Sequence, residues 1–460
     1  MTSSDQAVGG HEISREITAA LARFVASVRA PDIPAAVRRE AKRSFVNFFA
    51  AALGGCRDQA IEAAVGVLTP FAGTGTASVI GRTERVDPLT AAFVNAAIGN
   101  VLDFDDTHIP TVIHPTAPVL PALLALASGR RVGGADLLDA FVLGVEIECR
   151  LGNAVSPGHY RRGWHITATC GVFGAAAAAG RVIGLDPRGL VWALGSASAQ
   201  SSGLVETLGT MAKSVGVGNA ARNGLFAALL AARGVTGPDR PLEGPRGFMA
   251  VTGGDCDPSL LTRGLGDSFE LLRNTYKPYP CGVVLNPVID AVLELRARHR
   301  LQARDVAGVT VTGHPLLGER TDRPAPASGR EAQVSAQHSV AVVLLHGAAG
   351  IPEFADAAVT DPATLDLRGK VTVKADQAMP QGAARVVIRG HDGQAFETTV
   401  NHARGSLERP PTDDELEAKL VTLAAHGCPA LDPAPLVGAL WTLEALDDVR
   451  DLMRLAVPHR

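Results

Sequence analysis

The 460-residue sequence lacks a long basic run, and its formal net charge is −4. We therefore expect no nucleic-acid partner, because binding to a phosphate backbone depends on clustered Lys and Arg. Long apolar runs are absent too: the Ala-rich stretch 171–180 ends at Arg181, whereas a bilayer span needs about 18 apolar residues. We therefore expect no membrane partner either.

Cysteine and lysine are also scarce. The six cysteines have no CxxC or other zinc-binding spacing, which predicts reduced, mostly buried thiols rather than a disulfide framework. Only six of the 43 basic residues are lysines, so each lysine is a better candidate for a special role than usual. The N-terminus has neither the basic nor the apolar segment of a secretion signal, and a cytoplasmic protein is expected.

Helical periodicity is abundant. Apolar residues recur every three or four positions from Ile13 to Val28 and from Val37 to Phe48, which predicts two packed helices. The spacing continues in Ala-rich segments, in which Ala and Gly allow helix axes to approach closely. These segments predict a helical bundle, and they span 88–102, 117–129, 134–153, 167–183, 187–202 and 217–233.

The pattern changes near residue 270. Four short segments rich in β-branched residues predict strands, and the last two flank a hairpin turn at 390–393. Two segments with helical spacing occur in the same region, and segments rich in Gly, Pro, Arg and Asp predict loops. The predicted strands are 306–312, 370–375, 384–389 and 395–400, the helices 284–299 and 333–347, and the loops 235–265 and 314–332.

The helical pattern returns after residue 411. This return suggests that the C-terminus packs back on the first helices, so that the strand-containing region is an insertion. We therefore predict a mainly α protein with a large all-helical domain, 1–268 and 402–460. The inserted, smaller α+β lid domain is predicted to span 269–401.

The densest polar cluster is the segment Asp103–His108 together with His114. Carboxylates, a hydroxyl and imidazoles this close together can supply a general acid and a general base, because burial and like charges push their pKa values apart. Two other interpretations stay open. The segment can cap a helix and face water, or its carboxylates and imidazoles can bind a metal ion.

Two more clusters lie between helical patterns. The first, 159–167, contains Tyr160 and His165 and offers a proton donor and a base, with a plain surface connection as the alternative. The second, 209–222, has many glycines but matches neither GxxxxGK[ST] nor GxGxxG after a strand. Lys213 is its stronger signal, since a buried lysine titrates readily, although a solvated loop lysine is the alternative.

Lys277 and His338 complete the candidates. Lys277 lies in segment 276–282, where two prolines fix the backbone, as suits either the rim of a cleft or a rigid linker. His338 begins a helical pattern, and it is either a functional residue or only the cap of that helix. A Ser-His-Asp hydrolase is not expected, because no GxSxG motif follows a predicted strand.

Five motifs occur in order along the chain: DFDDTH with HPT, HYRRGWHITAT, GTMAKSVGVGNAARNG, KPYPCG and QHS. Together they resemble the MmgE/PrpD family, which contains 2-methylcitrate dehydratases, cis-aconitate decarboxylases and an iminodisuccinate epimerase. The resemblance covers about residues 12–455. It implies a helical domain with an inserted lid, an active site between them, a homodimer, a small carboxylate substrate, no organic cofactor and no resident metal.

The resemblance also implies roles for single residues. The shared chemistry is abstraction of a proton next to a carboxylate, while cations hold the carboxylates and stabilise enediolate-like charge. His114 matches a histidine of proton transfer, Lys213 a carboxylate-binding or basic lysine, and Tyr160 a tyrosine paired with that lysine. Catalytic roles are expected for Asp103, Thr107, His114, Tyr160, His165 and Lys213, and substrate binding for Arg222, Lys277 and His338.

Two positions depart from the family pattern. Gly216 stands where dehydratases and decarboxylases have histidine, and Val342 stands where the decarboxylase branch has tyrosine. Because a polar group missing from a polar site costs much specificity, cis-aconitate decarboxylation is ranked lowest. Dehydration of 2-methylcitrate or a related hydroxy acid is ranked first, and epimerisation of a smaller dicarboxylate, favoured by Tyr160 with Lys213, is the alternative.

Two further classes of protein stay open. A non-catalytic carboxylate-binding relative is suggested by the same two departures, Gly216 and Val342. A metal-dependent hydrolase is the other class, because carboxylates and imidazoles can hold a divalent ion. Its ligands would be Asp103, Asp105, Asp106, His108 and His114.

Overall fold

The computed structural model describes residues 16–73 and 75–458. Ile13, near the start of the first predicted helix, lies outside the described residues, and the helix spans Ile17–Ser27. The structure is mostly helical, as predicted, and contains a four-stranded sheet. The six cysteines are unpaired and five of them are buried, which confirms the prediction of reduced, mostly buried thiols.

The elements follow in chain order. Helices before the sheet are α1 Ile17–Ser27, α2 Ala35–Gly55, α3 Gln59–Leu68, α4 Pro88–Asn100, α5 Thr116–Ala127, α6 Gly134–Val155, α7 Gly158–Arg161, α8 Ile166–Ile183, α9 Pro187–Ser198, α10 Ala212–Ala232 and α11 Phe248–Thr252. Later helices are α12 Asn286–His299, α13 Pro315–Thr321, α14 Gly329–Ala332, α15 Ala336–His346, α16 Asp356–Thr360, α17 Pro362–Arg368, α18 Asp413–Gly427, α19 Ala434–Trp441 and α20 Arg450–Leu455. The strands are β1 Ala77–Ser78, β2 Arg85–Val86, β3 Asp106–His108, β4 Asn274–Tyr276, β5 Val306–Gly313, β6 Val371–Ala375, β7 Ala384–Gly390 and β8 Ala395–Val400.

The six Ala-rich helices are confirmed as α4, α5, α6, α8, α9 and α10. Local caps explain their ends: the Asp87 side chain accepts hydrogen bonds from two backbone N–H groups at the start of α4, and Gly184 ends α8 at φ 84°. One start differs from the prediction. Helix α10 begins at Ala212 rather than at 217, so Lys213 lies in its first turn and not in a loop.

Glycine allows the close helix packing that the sequence predicts. A Cβ on Gly144 of α6 would stand 2.7 Å from the Gly174 carbonyl oxygen of α8, which is closer than atoms can pack. Helix α8 itself is long and apolar enough to cross a bilayer by length and composition, yet 83% of it is buried inside the protein. That burial is typical of a core helix in a bundle.

The sheet has the strand order β6-β5-β7-β8. Strand β5 is parallel to β6 and antiparallel to β7, and the predicted hairpin joins β7 to β8. Side chains from the sheet and from α12, α15 and α17 form one hydrophobic core, with Val311, Val386 and Val340 fully buried. We call residues 279–403, which contain this core, the sheet unit.

The loops predicted at 235–265 and 314–332 are partly wrong, because they contain short helices α11, α13 and α14. Pro315 begins α13 with the His314 side chain as its cap, and Ser328 caps α14. Gly, Pro and Ser mark helix starts as well as turns, and helices this short have too few apolar positions for a period. These three helices were therefore predicted as loops.

The C-terminal helices share a core with the first helices. Leu416, Leu420 and Leu423 of α18 are buried in the same cluster as Phe45 and Phe49 of α2. We call this helical part, without the sheet unit, the helical unit. The predicted domain boundaries at 268/269 and 401/402 stay a prediction.

A short ribbon brings two sequence motifs together. Strand β3 pairs antiparallel with β4, so that Asp106 lies opposite Tyr276 and Thr107 opposite Thr275. The acidic segment 103–108 therefore runs beside the chain just before Lys277. Asp103, which precedes the ribbon, adopts a left-handed φ of 52°, and such strained backbone clusters at functional sites.

Candidate active site

Asp103 is the centre of a buried charged cluster. Its Oδ1 accepts hydrogen bonds from Nζ of Lys213 and, at 2.9 Å, from Nζ of Lys277. Nε2 of His114 lies 4.0 Å from the same oxygen. Burial alone would raise the pKa of Asp103, but the charges of Lys213 and Lys277 hold it well below its usual value. The carboxylate therefore stays ionised and is bound by two ammonium groups.

His114 is oriented by backbone and side-chain contacts. Its Nδ1 lies 2.8 Å from the Asp106 carbonyl oxygen and 3.2 Å from Oδ1 of Asp105. A carbonyl oxygen only accepts, so Nδ1 carries a proton, and Nε2 is the nitrogen that faces Asp103. Burial would raise the pKa of Asp105, but His114 holds that pKa below its usual value.

His165 and Lys213 approach the cluster from two helix starts. His165 precedes α8 and is 4% exposed. Its backbone N–H donates a hydrogen bond to the Gly203 carbonyl oxygen at 3.0 Å. Burial and the charge of Lys213 lower the pKa of His165 to about 3. The imidazole is therefore neutral at physiological pH and able to accept a proton.

The other residues of the acidic segment have different partners. The Asp106 carboxylate accepts hydrogen bonds from Thr116 and Asn274, and burial raises its pKa to about 6. His108 bonds to Thr111 and, at 2.9 Å, to Glu270. Both residues therefore stabilise the β3–β4 ribbon and are not part of the cluster around Asp103.

Thr107 is placed by the ribbon next to these residues. Its carbonyl oxygen accepts a hydrogen bond from the Thr275 hydroxyl at 2.7 Å. Its own Oγ1 is buried and has no hydrogen-bond partner among the described residues. A buried hydroxyl without a partner is costly, so Thr107 remains a candidate for contact with substrate.

Two of the interpretations left open by the sequence are wrong. The segment 103–108 does not cap a helix, because Asp106–His108 forms a strand, and it does not face water, because all six residues are buried. The five-residue metal centre does not form either, since Asp106 and His108 bond elsewhere.

A smaller set of possible metal ligands does come together. One ligand atom each from Asp103, Asp105 and His114 lie within 4.8 Å of one another. However, the ammonium groups of Lys213 and Lys277 already occupy Oδ1 of Asp103. A divalent cation there would be repelled by both, so the donor set fits an anion better than a metal.

Lys419 of α18 is a site residue that the sequence analysis missed. Its Nζ donates to Asn47 Oδ1 at 2.7 Å, to the Phe104 carbonyl at 2.7 Å and to the Lys277 carbonyl at 2.9 Å. Burial lowers its pKa to about 7, but three acceptors need all three N–H groups of the charged form. Lys419 thus joins the backbone of the acidic segment to that of Lys277.

Three predicted residues make no hydrogen bond or ion pair with Asp103 within residues 16–73 and 75–458. Arg222 bonds to Asn219 and Asn223 on its own helix and stacks on Phe93. His338 is buried in the sheet unit, where Nε2 bonds to the Glu353 carbonyl at 2.7 Å, and Ser335, not His338, caps α15. The predicted roles of Arg222 and His338 in substrate binding therefore find no support in their contacts.

Tyr160 is the third of these residues. Its ring stacks under the guanidinium of Arg320 at 4.8 Å. No hydrogen bond joins it to Lys213 within the described ranges 16–73 and 75–458. The pairing of Tyr160 with Lys213 that the resemblance implied is therefore absent from these contacts.

The cluster borders a narrow cleft between the helical unit and the sheet unit. A cavity of about 30 Å³ is lined by Asp103, Gly209 and Lys213 on one side and by Arg330 and Gln333 on the other. Arg330 and Gln333 donate to the carbonyls of Val101 and Leu102 at 2.7 and 2.9 Å. The sheet unit therefore rests directly on the segment that precedes Asp103.

A larger cavity of about 650 Å³ lies between α18 and the segments 276–278 and 404–411. Its lining includes Lys277 and Lys419 but not Asp103, His114, His165 or Lys213. Size alone would place a ligand site there. The convergence of titratable groups favours the smaller cleft, because a reaction site needs its acid, base and cations in contact.

An Asp-Lys-Lys-His cluster beside a cleft between a helical bundle and a smaller sheet unit is the candidate active site, and comparisons with known proteins identify the family. The MmgE/PrpD N-terminal domain matches residues 19–261, and the MmgE/PrpD C-terminal domain matches residues 279–432. The chain belongs to the MmgE/PrpD family. The family is catalytic, and the chain is an enzyme whose relatives are of lyase type.

Similar proteins span nearly the whole chain. The cis-aconitate decarboxylase-like protein oryM of Aspergillus oryzae is 30% identical over 95% of this chain and 97% of its own length. A cis-aconitate decarboxylase of Aspergillus terreus is 27% identical over 95% of both chains. The cis-aconitate decarboxylase of Homo sapiens is 27% identical, covering 96% of this chain and 94% of its own.

Proposed function

We propose that this enzyme is a lyase acting on a small di- or tricarboxylate, with negative charge developing next to a carboxylate during the reaction. The observation that carries this proposal is the pair of ammonium groups, from half-buried Lys213 and buried Lys277, around one carboxylate. Two cations in a cleft of low dielectric bind an anion strongly and stabilise an enediolate. Asp103 keeps both lysines in place until the substrate arrives.

The two histidines would move the proton. Nε2 of His114 faces the cluster with its other nitrogen fixed by the Asp106 carbonyl, and His165 is neutral. In a decarboxylation the carbon–carboxylate bond breaks, its electron pair delocalises onto a remaining carboxylate, and an imidazolium then protonates the carbon. In a dehydration a histidine removes the proton first, and the hydroxyl leaves with a proton as water.

Decarboxylation of cis-aconitate is the first reaction to test, because the relatives carry that name. This reverses the order in which the sequence ranked the reactions, since 2-methylcitrate dehydration came first there. Dehydration and epimerisation stay the further candidates, and Gly216 departs from the pattern of dehydratases and decarboxylases alike. A Cβ on Gly216 would meet only Ala168, at 3.3 Å, so the space of a side chain is left open for a different substrate group.

We further propose that the sheet unit is a lid. A cavity of about 30 Å³ holds roughly one water molecule, so a carboxylate substrate enters only when the contacts of Arg330 and Gln333 separate. Bound substrate should then slow amide hydrogen exchange around residues 101–103. Equal exchange with and without substrate would argue against a lid. The cytoplasmic location and the homodimer expected from the sequence stay predictions.

Proton NMR of the purified enzyme with citrate, 2-methylcitrate, cis-aconitate, malate and aspartate-derived dicarboxylates tests the reaction. Conversion of one acid by the wild type, lost in Lys213→Met and kept in Lys374→Met, is the expected result. Lys374 is an exposed lysine on β6 and controls for the loss of a lysine as such. Turnover that survives Lys213→Met unchanged would contradict the proposed site.

A further inference from the structure

Two arginines of the sheet unit reach the cleft and have no role in the account so far. Arg320 lies in the last turn of α13, and its guanidinium stacks 4.8 Å from the ring centroid of Tyr160. Nη1 of Arg323 lies 3.3 Å from the point where a Cβ on Gly209 would stand. Gly209 lines the same small cavity as Asp103 and Lys213. Both guanidinium groups therefore lie at the edge of the site.

Neither arginine has an acidic partner in residues 16–73 and 75–458, where no carboxylate oxygen lies within ion-pair distance of either. The acidic neighbours bond elsewhere: Asp322 accepts from Gln337, and Glu331 accepts from the backbone of Ala327. Arg330, which enters the same cleft, does pair with Asp58. Arg320 and Arg323 thus differ from it in keeping their charge available for a ligand.

The electrostatics of Tyr160 place these groups near one another. Burial raises the pKa of the Tyr160 hydroxyl, while Arg320 and Arg323 lower that pKa and Asp103 raises it. A guanidinium that stacks on an aromatic ring keeps its N–H groups free at the edges. Those groups can bind a carboxylate through two parallel hydrogen bonds.

We propose that Arg320 and Arg323 form a second carboxylate subsite, which binds the substrate carboxylate farthest from the reacting carbon. The inference rests on the proposed function, because it extends the Lys213–Lys277 site across the cleft. It specifies the substrate class as a tricarboxylate, since the lysines bind one end of the molecule and the arginines bind a carboxylate at the other. Tyr160 then supports Arg320 rather than transferring a proton to Lys213.

Calorimetric binding tests this subsite without requiring turnover. Propane-1,2,3-tricarboxylate is the probe, and 2-methylbutanedioate, which lacks one terminal carboxylate, is its control. Arg320→Gln and Arg323→Gln should each weaken binding of the tricarboxylate roughly 10- to 100-fold, the range expected for hydrogen bonds to a charged group, with little change for 2-methylbutanedioate. Arg389→Gln, on the exposed face of β7, should bind both acids as the wild type does.

The outcomes separate this inference from the proposed function. If the wild type binds the tricarboxylate no more tightly than 2-methylbutanedioate, or if both variants keep the preference, the arginine subsite is wrong even if turnover is observed. If the preference depends on the arginines but no acid in the turnover panel reacts, the subsite stands and the proposed lyase reaction fails. A loss of binding for both acids would mean a disturbed fold and would count against a specific subsite.

Discussion

Two buried charge clusters of the helical unit differ in how completely their charges are satisfied. Arg150 of α6 pairs with Glu146 at 2.6 Å, and it donates to the carbonyls of Arg263, Gly264 and Ser268 at 2.7 to 3.1 Å. Around Asp103, two ammonium groups share one carboxylate oxygen. The first cluster is closed within the protein, whereas the second places two ammonium groups on one oxygen and leaves Oδ1 of Asp105 without a hydrogen-bond donor among the described residues.

This difference separates a structural cluster from a functional one. Arg150 is 1% exposed, and its donors end on backbone carbonyls of a loop, which they fix in place. The Asp103 cluster opens on a cleft, and the two ammonium groups that share one carboxylate oxygen can also bind an incoming anion. Burial of charge alone therefore does not indicate a site, but charges with incomplete hydrogen bonding at a cleft do.

The largest expected effect is on catalysis. Lys213→Met should lower kcat/KM about 10³-fold, because a cation that stabilises developing negative charge is worth about 4 kcal/mol in a transition state. The melting temperature should change little, since Lys277 still neutralises Asp103. Steady-state kinetics and thermal unfolding check both statements. Wild-type kcat/KM in Lys213→Met would contradict a catalytic role of the Asp103 cluster. Unfolding of the variant would give that cluster the structural role assigned to Arg150.

Arg150→Met is the matching change in the closed cluster. We expect it to lower the free energy of unfolding by about 3 kcal/mol, because it leaves Glu146 buried without its partner. The kcat per folded molecule should stay within about twofold, since a structural pair makes no transition-state contact. Chemical denaturation and active-site titration measure the two quantities. A large loss of kcat in fully folded protein would show that Arg150 also acts on the site.

Lys419→Met tests whether the backbone beneath the cluster is held by this lysine. It removes three hydrogen bonds that join α2, Phe104 and Lys277. We expect kcat to fall roughly 10-fold with a smaller change in KM, because misplacing Lys277 by less than 1 Å costs rate more than binding. Lys419→Arg should recover part of the loss. An unchanged kcat together with lower stability would make Lys419 purely structural.

The smallest expected effect concerns Asp106, which lies next to the cluster but outside it. Its folded pKa is about 6, above its usual value of 3.8, so the folded state binds more protons between these pH values. The free energy of unfolding therefore falls as the pH rises from about 4 to about 6. Asp106→Asn keeps an acceptor for Thr116 and Asn274 and removes this slope.

The Asp106→Asn variant should be about 1 kcal/mol more stable than the wild type at pH 8, and less so at pH 4. Denaturation curves at the two pH values measure this difference. Wild type and variant with parallel pH dependence would show that Asp106 is charged in the folded protein. That result would make it a member of the cluster rather than a neighbour.

Much of the fold could be predicted from local sequence. Helix periods and caps such as Asp87 and Gly184 are local signals, and so is the turn between β7 and β8. Lys213 was placed ahead of its helix because the glycines at 216 and 218 weaken the helical pattern. Packing against α8 overrides that weakness.

The site was predictable in part for similar reasons. Asp103, His114, His165, Lys213 and Lys277 belong to dense or unusual motifs, and the structure brings them together. The role of Arg222 stays a prediction without support from its contacts, since nine residues along a helix separate it from Lys213 by about 13 Å. Lys419 has no such signal, since its partners are carbonyl oxygens at least 142 residues away in sequence. Arg320 and Arg323 lie in a segment that looked like a loop.

Turnover in deuterium oxide tests the central claim most directly. The account predicts that the wild type incorporates one solvent deuteron, or exchanges one proton, at the carbon next to a carboxylate, and that Lys213→Met does so about 10³-fold more slowly. Proton NMR follows both reactions in one experiment. A decarboxylated product that forms without deuterium at that carbon, or equal rates in the two proteins, would contradict an Asp103–Lys213–Lys277 site that stabilises charge next to a carboxylate.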